Sequence, residues 1–174
     1  MHIHPGLAAR APACALHFNS TKEATMKIKT ILVPTDFSQG AGAALDTAVG
    51  FATTFGARLQ LFHAYHLDVP PLYGGFGGEF STPFDILEPI RQEAESAMEQ
   101  LVKEVAAKGV EVEGRVVMEH ASTAIVEEAS QLPADLIVIG TRGLTGLDHL
   151  LLGSTAERVL RLAHCPVVTV KADP

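Results

Sequence analysis

Three glycines and a serine, set between two apolar segments, form the pattern in this sequence that is best suited to binding a ligand. Gly140 and Gly143 enclose two residues, Gly143 and Gly153 enclose nine, and Ser154 follows at once. A glycine at the end of a strand lets a ligand approach the backbone closely, and we expect Gly140 to act in this way. Gly143 and Gly153 are expected to supply the positive φ values of a tight turn.

The residues after Gly153 predict the start of a helix whose N–H groups could hold an anion. The first N–H groups of a helix have no carbonyl partner within it, and the positive end of the helix dipole lies there. Ser154 and Thr155 add hydroxyl donors, and Arg142 adds a permanent positive charge from the loop. The chemistry expected here is the binding of phosphate groups.

A second interpretation needs no ligand. Ser154 and Glu157 match the S-x-x-E capping box, in which the serine caps the helix and the glutamate bonds back to it. Such a box would satisfy the same N–H groups and place a negative charge beside them. No G-x4-G-K-[ST] motif is present, and the GGFGG run at 74–78 does not join a strand to a helix, which favours a loop. From spacing alone, anion site and capping box both stay open.

A carboxylate at the end of another predicted strand bears on this choice. Pro34, Thr35 and Asp36 follow the apolar residues of the first strand. In a doubly wound sheet this strand lies beside the one that ends near Gly140, so Asp36 would face the glycine loop. There it could accept a hydrogen bond from a ribose hydroxyl or a base amine. The alternative is that Asp36 caps the next helix.

Strand and helix patterns alternate from Lys27 onward and predict the elements that position these residues. Strands are expected in KIKTILVP, ARLQLFHAYH, VEVEGRVVM, ADLIVIG and PVVTVK, and helices from Ser38 to about Phe55, from Phe84 to Gly109, from Ala121 to about Leu132, and from Ser154 to about Ala163. This alternation predicts a parallel sheet with helices on both faces. The third strand is half polar, which favours a place near an edge. Residues 1–25 have no clear period and are interpreted as a loose extension or a misassigned start, and 26–174 as a single domain.

Composition and charge exclude several classes of function. The 174 residues carry a formal net charge of −7, which argues against binding of nucleic acid through a basic face. No apolar run approaches the roughly 20 residues of a membrane-spanning helix, so no membrane association is expected. The two cysteines form no CxxC pair, which suits a reduced, cytoplasmic setting. The histidines, including His63, His66, His120 and His149, show no metal-binding spacing and are expected to act singly.

Three motifs in order resemble the universal stress protein family. They are ILVPTDFS, ADLIVIGTRG and LLLGSTAERVLRLAHCPVVTVK, and the resemblance covers about Met26 to Lys171. The spacing G-x2-G-x9-G-[S/T] is the signature of the ATP-binding branch of that family. The resemblance implies an open doubly wound sheet of five parallel strands in the order 3-2-1-4-5. It also implies a homodimer that pairs through the last strand, Val167 to Val170.

The resemblance implies an ATP site, with Mg2+ held mainly through the phosphates. The residues that carry over by position are Pro34, Thr35 and Asp36 on the adenine and ribose side; Ala64, which would line the base; Ile139, Gly140, Arg142 and Gly143 at the ribose and phosphate turn; and Gly153, Ser154, Thr155 and Ala156 around the triphosphate. The family often has a histidine where Arg142 stands; an arginine keeps the phosphate donor and makes its charge permanent.

The function expected from these features is that of an ATP-binding protein of the cellular stress response. It would be a nucleotide-gated dimeric module that presents a surface to an unknown protein partner, and not an enzyme. One alternative is a slow ATP hydrolase or phosphotransferase in which Asp36 or Asp148 positions water. Another is a scaffold that works without nucleotide.

Overall fold

The computed structural model describes residues 27–66, 83–141 and 152–171, with side chains in the second range from residue 87 onward. Strands and helices alternate strictly along these ranges. In chain order they are β1 (Thr30–Pro34), α1 (Gln39–Phe55), β2 (Arg58–Tyr65), α2 (Pro83–Ala106), β3 (Val112–Met118), α3 (Ala121–Gln131), β4 (Leu136–Gly140), α4 (Ser154–Leu162) and β5 (Val167–Val170). The predicted elements are confirmed, with bounds that differ by a few residues.

The five strands form one parallel sheet in the order β3-β2-β1-β4-β5, as predicted. β1 lies beside β4 with Ile31 opposite Leu136 and Leu32 opposite Ile137. The chain runs from β1 outward to β2 and β3 on one side, and β4 and β5 extend the sheet on the other. The strand order therefore reverses between β1 and β4, where ligands bind in folds of this kind. The half-polar strand β3 lies at an edge, as its pattern predicts.

Alternate side chains of the central strands enter two separate hydrophobic layers. Ile31 and Val33 pack with α1 and α2, whereas Leu32 packs with α3 and α4. All three side chains are fully buried. Continuous apolar strands such as ILV and LIVI are thus explained by helices on both faces. Among the described helices, none is long and apolar enough to cross a membrane.

Helix α1 begins and ends at residues whose local chemistry fixes its bounds. The Ser38 hydroxyl accepts a hydrogen bond from the Ala41 N–H at 3.3 Å, so Ser38 is the N-cap, as predicted. Gly56 ends the helix in the left-handed region at φ 64°, which glycine adopts without steric cost. The first turn of α1 is thereby held close to the end of β1.

Candidate functional site

A cavity of about 160 Å³ lies where the carboxyl ends of β1, β2 and β4 meet the first turns of α3 and α4. Its walls contain all the predicted site residues that the structure describes. These are Pro34, Thr35, Asp36, Ala64, Ile139, Gly140, Gly153, Ser154, Thr155 and Ala156. Arg142 and Gly143 lie outside the described residues. Residues far apart in the sequence are therefore brought to one place at the reversal of strand order.

The β1 side of the cavity is fixed by hydrogen bonds to β2. The Thr35 N–H donates to the Phe62 carbonyl at 2.9 Å, and the Thr35 carbonyl lies 2.8 Å from His63 Nδ1. Asp36 Oδ1 accepts from the Ser38 N–H at 3.0 Å. Asp36 therefore shapes the turn that leads into α1 but is not its cap, so the alternative interpretation of this residue is wrong.

Gly140 is required by packing and also lines the cavity, so the expectation that it admits a ligand to the backbone stays a prediction. A Cβ built on Gly140 would lie 2.8 Å from the carbonyl oxygen and 3.0 Å from the carbonyl carbon of Gly40. Both atoms belong to the backbone of α1 and cannot swing aside. Gly140 therefore lets the end of β4 approach the first turn of α1, and this approach sets the position of the cavity wall at Ala41.

Gly153 has an ordinary backbone conformation, so the predicted positive φ is wrong. Its φ is −70° and its ψ is 153°. A Cβ there would lie 3.2 Å from the Thr141 carbonyl oxygen, and the Gly153 N–H donates to that oxygen at 2.7 Å. The glycine is explained by the close approach of the start of α4 to Thr141.

The predicted capping box is also wrong, because Gly153 and not Ser154 is the N-cap of α4. No side chain in the described ranges caps this helix, and the Glu157 N–H donates to the Gly153 carbonyl at 2.9 Å. The preceding N–H groups, on Ser154, Thr155 and Ala156, have no carbonyl partner within the helix. All three residues line the cavity. The positive end of the α4 dipole thus adjoins the cavity, although Glu157 adds a negative charge in the same turn.

Five residues that sequence reasoning did not name also line the cavity: Ala41, Phe62, Ala121, Ile125 and Thr141. Phe62 could have been found, since it lies two residues before Ala64 and shares its face of β2. Thr141 occupies a variable position of the glycine pattern, which gave no reason to name it. The residue is 8% exposed, and Oγ1 has no hydrogen-bond partner within the described part of the chain.

The histidines and the cysteine that the sequence analysis considered do not line the cavity in the described part of the chain. The rings of His66 and His120 approach to 3.7 Å between centroids, a contact between two rings that does not make them a metal site. Across the described ranges, no three histidine, cysteine or acidic side chains form a group able to hold a metal ion. Burial raises the pKa of the Cys165 thiol, which fits a packed side chain rather than a nucleophile. Asp148 and His149 lie outside the described residues.

Comparison with known proteins gives one consistent result. The chain matches the universal stress protein family over residues 27–171. It is 38% identical over 143 residues to universal stress protein MJ0531 of Methanocaldococcus jannaschii, covering 82% of each chain. It is also similar to the solved structure of hypothetical protein MJ0577 from that organism, with TM-score 0.69, 28% identity, and coverage of 85% of this chain and 99% of the other. A universal stress protein in complex with cAMP has TM-score 0.63 and 27% identity, with coverage of 84% and 99%. The chain therefore belongs to the universal stress protein family.

Proposed function

We propose that the cavity binds ATP and that the protein is a nucleotide-gated dimeric module of the cellular stress response. One observation carries this proposal. Every described residue that the family resemblance assigns to ATP lines a single cavity at the reversal of strand order, beside a helix start that no described side chain caps. The sheet topology brings these residues together, and the start of α4 adds there the N–H donors that an anion needs.

The start of α4 supplies the chemistry that phosphate groups need. Uncapped N–H groups and the positive end of a helix dipole bind anions, and the hydroxyls of Ser154 and Thr155 add donors. A chain of net charge −7 attracts an anion only where the local field is positive, as it is at a helix N-terminus. We assign Arg142 to the phosphates as well, and Mg2+ to a position held mainly through the phosphates.

The opposite wall suits an adenosine group. Phe62, Ala64, Ile125 and Ile139 offer apolar surface to a base, while Asp36 offers a carboxylate to a ribose hydroxyl or a base amine. The cavity of about 160 Å³ is smaller than the roughly 300–1,000 Å³ of pockets that enclose drug-sized ligands. It would enclose part of a nucleotide and leave the rest against residues around the rim.

A structural relative supports the choice of an adenine nucleotide. The universal stress protein solved in complex with cAMP has the same fold over 84% of this chain. Its ligand contains the adenosine and phosphate groups for which the two walls of this cavity are suited. We propose ATP and not cAMP as the ligand. The glycine spacing and the free N–H groups at the start of α4 suit several linked phosphates better than one.

The dimer of this proposal would pair through β5. This strand lies at an edge of the sheet, where backbone N–H and C=O groups are available to a second chain. Three of its four side chains are half-buried valines: Val167, Val168 and Val170. Pairing between two copies would cover them. Light scattering of Val168→Lys against the wild type tests this assignment, which predicts a dimer for the wild type and a monomer for the variant.

Isothermal titration calorimetry with ATP and Mg2+ tests the nucleotide assignment, with Gly50→Ala as a control at an exposed helical position away from the cavity. We expect saturable binding, one ATP per chain, by both proteins. Absence of heat with ATP, together with normal folding, would favour the scaffold that works without nucleotide.

A slow hydrolase is the second candidate function. The position of Asp36 in the cavity wall favours it. Asp36 is the one carboxylate among the described residues that line the cavity, and it could position water. Phosphate release measured for the wild type and Asp36→Asn separates the two proposals. Turnover that Asp36→Asn abolishes while ATP still binds would support catalysis, whereas binding without turnover would support a nucleotide-gated module.

A further inference from the structure

Helix α3 forms one wall of the cavity and is joined to the edge strand β3 by an ion pair. Arg115 Nη1, on β3, donates to Glu128 Oε2, on α3, at 2.6 Å. Glu128 is 6% exposed, whereas the Arg115 side chain is half-exposed. Within the described ranges, this is the one side-chain hydrogen bond between α3 and the sheet. The ion pair therefore adds a polar connection to the apolar packing of α3.

This ion pair lies next to the residues that form the apolar wall of the cavity. Phe62 is the partner of Arg115 in the register of β2 and β3, so both side chains lie on the same face of the sheet. Glu128 follows Ile125 by three residues and shares its face of α3. Phe62 and Ile125 are buried, and both line the cavity. The ion pair thus connects α3 to the sheet close to the place where β2 and α3 enclose the cavity.

The burial of Glu128 makes the position of α3 depend on Arg115. A buried carboxylate that loses its cationic partner is left with an uncompensated desolvation cost. Moving α3 away from the sheet is the direct way for Glu128 to regain water once the guanidinium is gone. Ile125 lies on the same face of the helix and would move with it, which changes the width of the cavity between β2 and α3.

We infer that Arg115 is a positioning residue for the nucleotide: through Glu128 it holds α3 at the distance from β2 that fits the base. Arg115 is not among the residues that line the cavity, so it acts through Glu128 and not by touching the ligand. This inference rests on the proposed function, because it needs a base bound between β2 and α3. It gives the edge strand β3 a part in ligand affinity that no residue of the glycine pattern supplies.

The test compares Arg115→Met and Arg115→Lys with a control that destabilises the opposite face of the sheet. Methionine removes the cation and keeps much of the side-chain length, whereas lysine keeps the cation. The control is Val105→Ala, because Val105 is buried on α2 in the hydrophobic layer that does not contain α3. The urea midpoint of each protein is measured without nucleotide, and binding of ATP and of ADP with Mg2+ is measured by calorimetry.

Arg115→Met and Val105→Ala should both unfold at lower urea concentration, but only Arg115→Met should lose affinity. We expect it to bind ATP about 5- to 20-fold more weakly than the wild type, a size typical of residues that act without touching the ligand. The factor should be the same for ADP, because the change lies at the base and not at the phosphates. Arg115→Lys should bind within about threefold of the wild type, since the ion pair uses a single N–H donor and not the whole guanidinium. Val105→Ala should bind ATP as the wild type does.

Amide hydrogen exchange without nucleotide, followed by mass spectrometry, tests the positioning step by itself. Peptides from α3 should exchange faster in Arg115→Met than in either the wild type or Val105→Ala. Wild-type ATP affinity in Arg115→Met would overturn the inference, and so would an equal loss of affinity in Val105→Ala. If the wild type binds no ATP, the proposed function fails, which is a distinct outcome. Unchanged exchange of α3 in Arg115→Met would overturn the positioning step whether or not ATP binds.

Discussion

Replacing Gly140 by alanine tests whether this glycine is required by packing or by a ligand. The added Cβ would lie 2.8 Å from the Gly40 carbonyl oxygen and 3.0 Å from its carbon, distances at which the backbone of α1 must move. Gly140 is not among the described glycines with positive φ, so alanine meets no backbone strain there. Any destabilisation of the folded state therefore comes from the contact between β4 and α1.

The expected magnitude follows from two opposing contributions. Forcing extra atoms into a packed interior costs about 1–3 kcal/mol, and alanine lowers the entropy of the unfolded chain by an amount worth about 0.4–1 kcal/mol. The net loss expected for Gly140→Ala lies between about 0 and 2.6 kcal/mol, with a midpoint of about 1.3 kcal/mol. For a chain of this size, a loss of about 1.3 kcal/mol lowers the melting temperature by roughly 3–5 °C.

Gly50→Ala is the matched control, because a Cβ at Gly50 meets nothing within 4 Å. Gly50 lies inside α1, so alanine there should raise stability by about 0.5–1 kcal/mol. Both variants are unfolded in urea without nucleotide, and the free energies of unfolding are compared with that of the wild type. A Gly140→Ala protein as stable as Gly50→Ala would refute the packing argument. The approach of a ligand to the backbone would then be the remaining reason for a glycine at position 140.

Three further results are expected. Gly153→Val should weaken ATP binding while the chain still folds. Even a Cβ at this position would lie 3.2 Å from the Thr141 carbonyl oxygen, so the start of α4 must shift. An unchanged affinity in calorimetry would contradict the assignment of this region to the phosphates. Arg115→Met should destabilise the fold by about 1–3 kcal/mol. Glu128 is 6% exposed and would lose the guanidinium that lies 2.6 Å from its Oε2. An unchanged urea midpoint would show that the Glu128 carboxylate has another hydrogen-bond partner. Burial raises the pKa of Cys165, so its peptide should react with iodoacetamide at pH 8 more slowly in the folded protein than in urea, as measured by mass spectrometry; equal rates would contradict that shift.

The sequence allowed the sheet to be predicted because its strands differ in their apolar patterns. Leu136–Ile139 is continuously apolar and lies second from one edge with helices on both faces, whereas Val112–Met118 is half polar and lies at the other edge. The alternation of strands with helices then left few topologies for a parallel sheet. The local pattern was sufficient to predict the strands, because the sequence of apolar and polar residues along a strand reflects which of its faces are buried.

The details of the site depended on contacts that local pattern does not contain. Gly140 could not be related to Gly40 from the sequence, because only the fold brings β4 against the first turn of α1. Ser154 and Glu157 have the residue types of a capping box, yet the N-cap is Gly153. The Gly153 N–H donates to the Thr141 carbonyl, a contact that the sequence does not reveal. The burial of Thr141 was equally hidden, since its hydroxyl gives no sign in the sequence of whether it has a partner.

The measurement that tests the central claim most directly is the thermal melt of nucleotide-free protein with and without ATP and Mg2+. Protein is denatured and refolded to remove any bound nucleotide, and mass spectrometry of the released fraction identifies what was bound. A ligand that binds only the folded state at 100 times its Kd adds about 2.7 kcal/mol, or roughly 5–10 °C for a chain of this size. We expect a rise of that order with ATP and a bound adenine nucleotide in the released fraction. An unmoved melt and an empty released fraction would contradict it, because the residues around the cavity would then shape turns without binding a nucleotide.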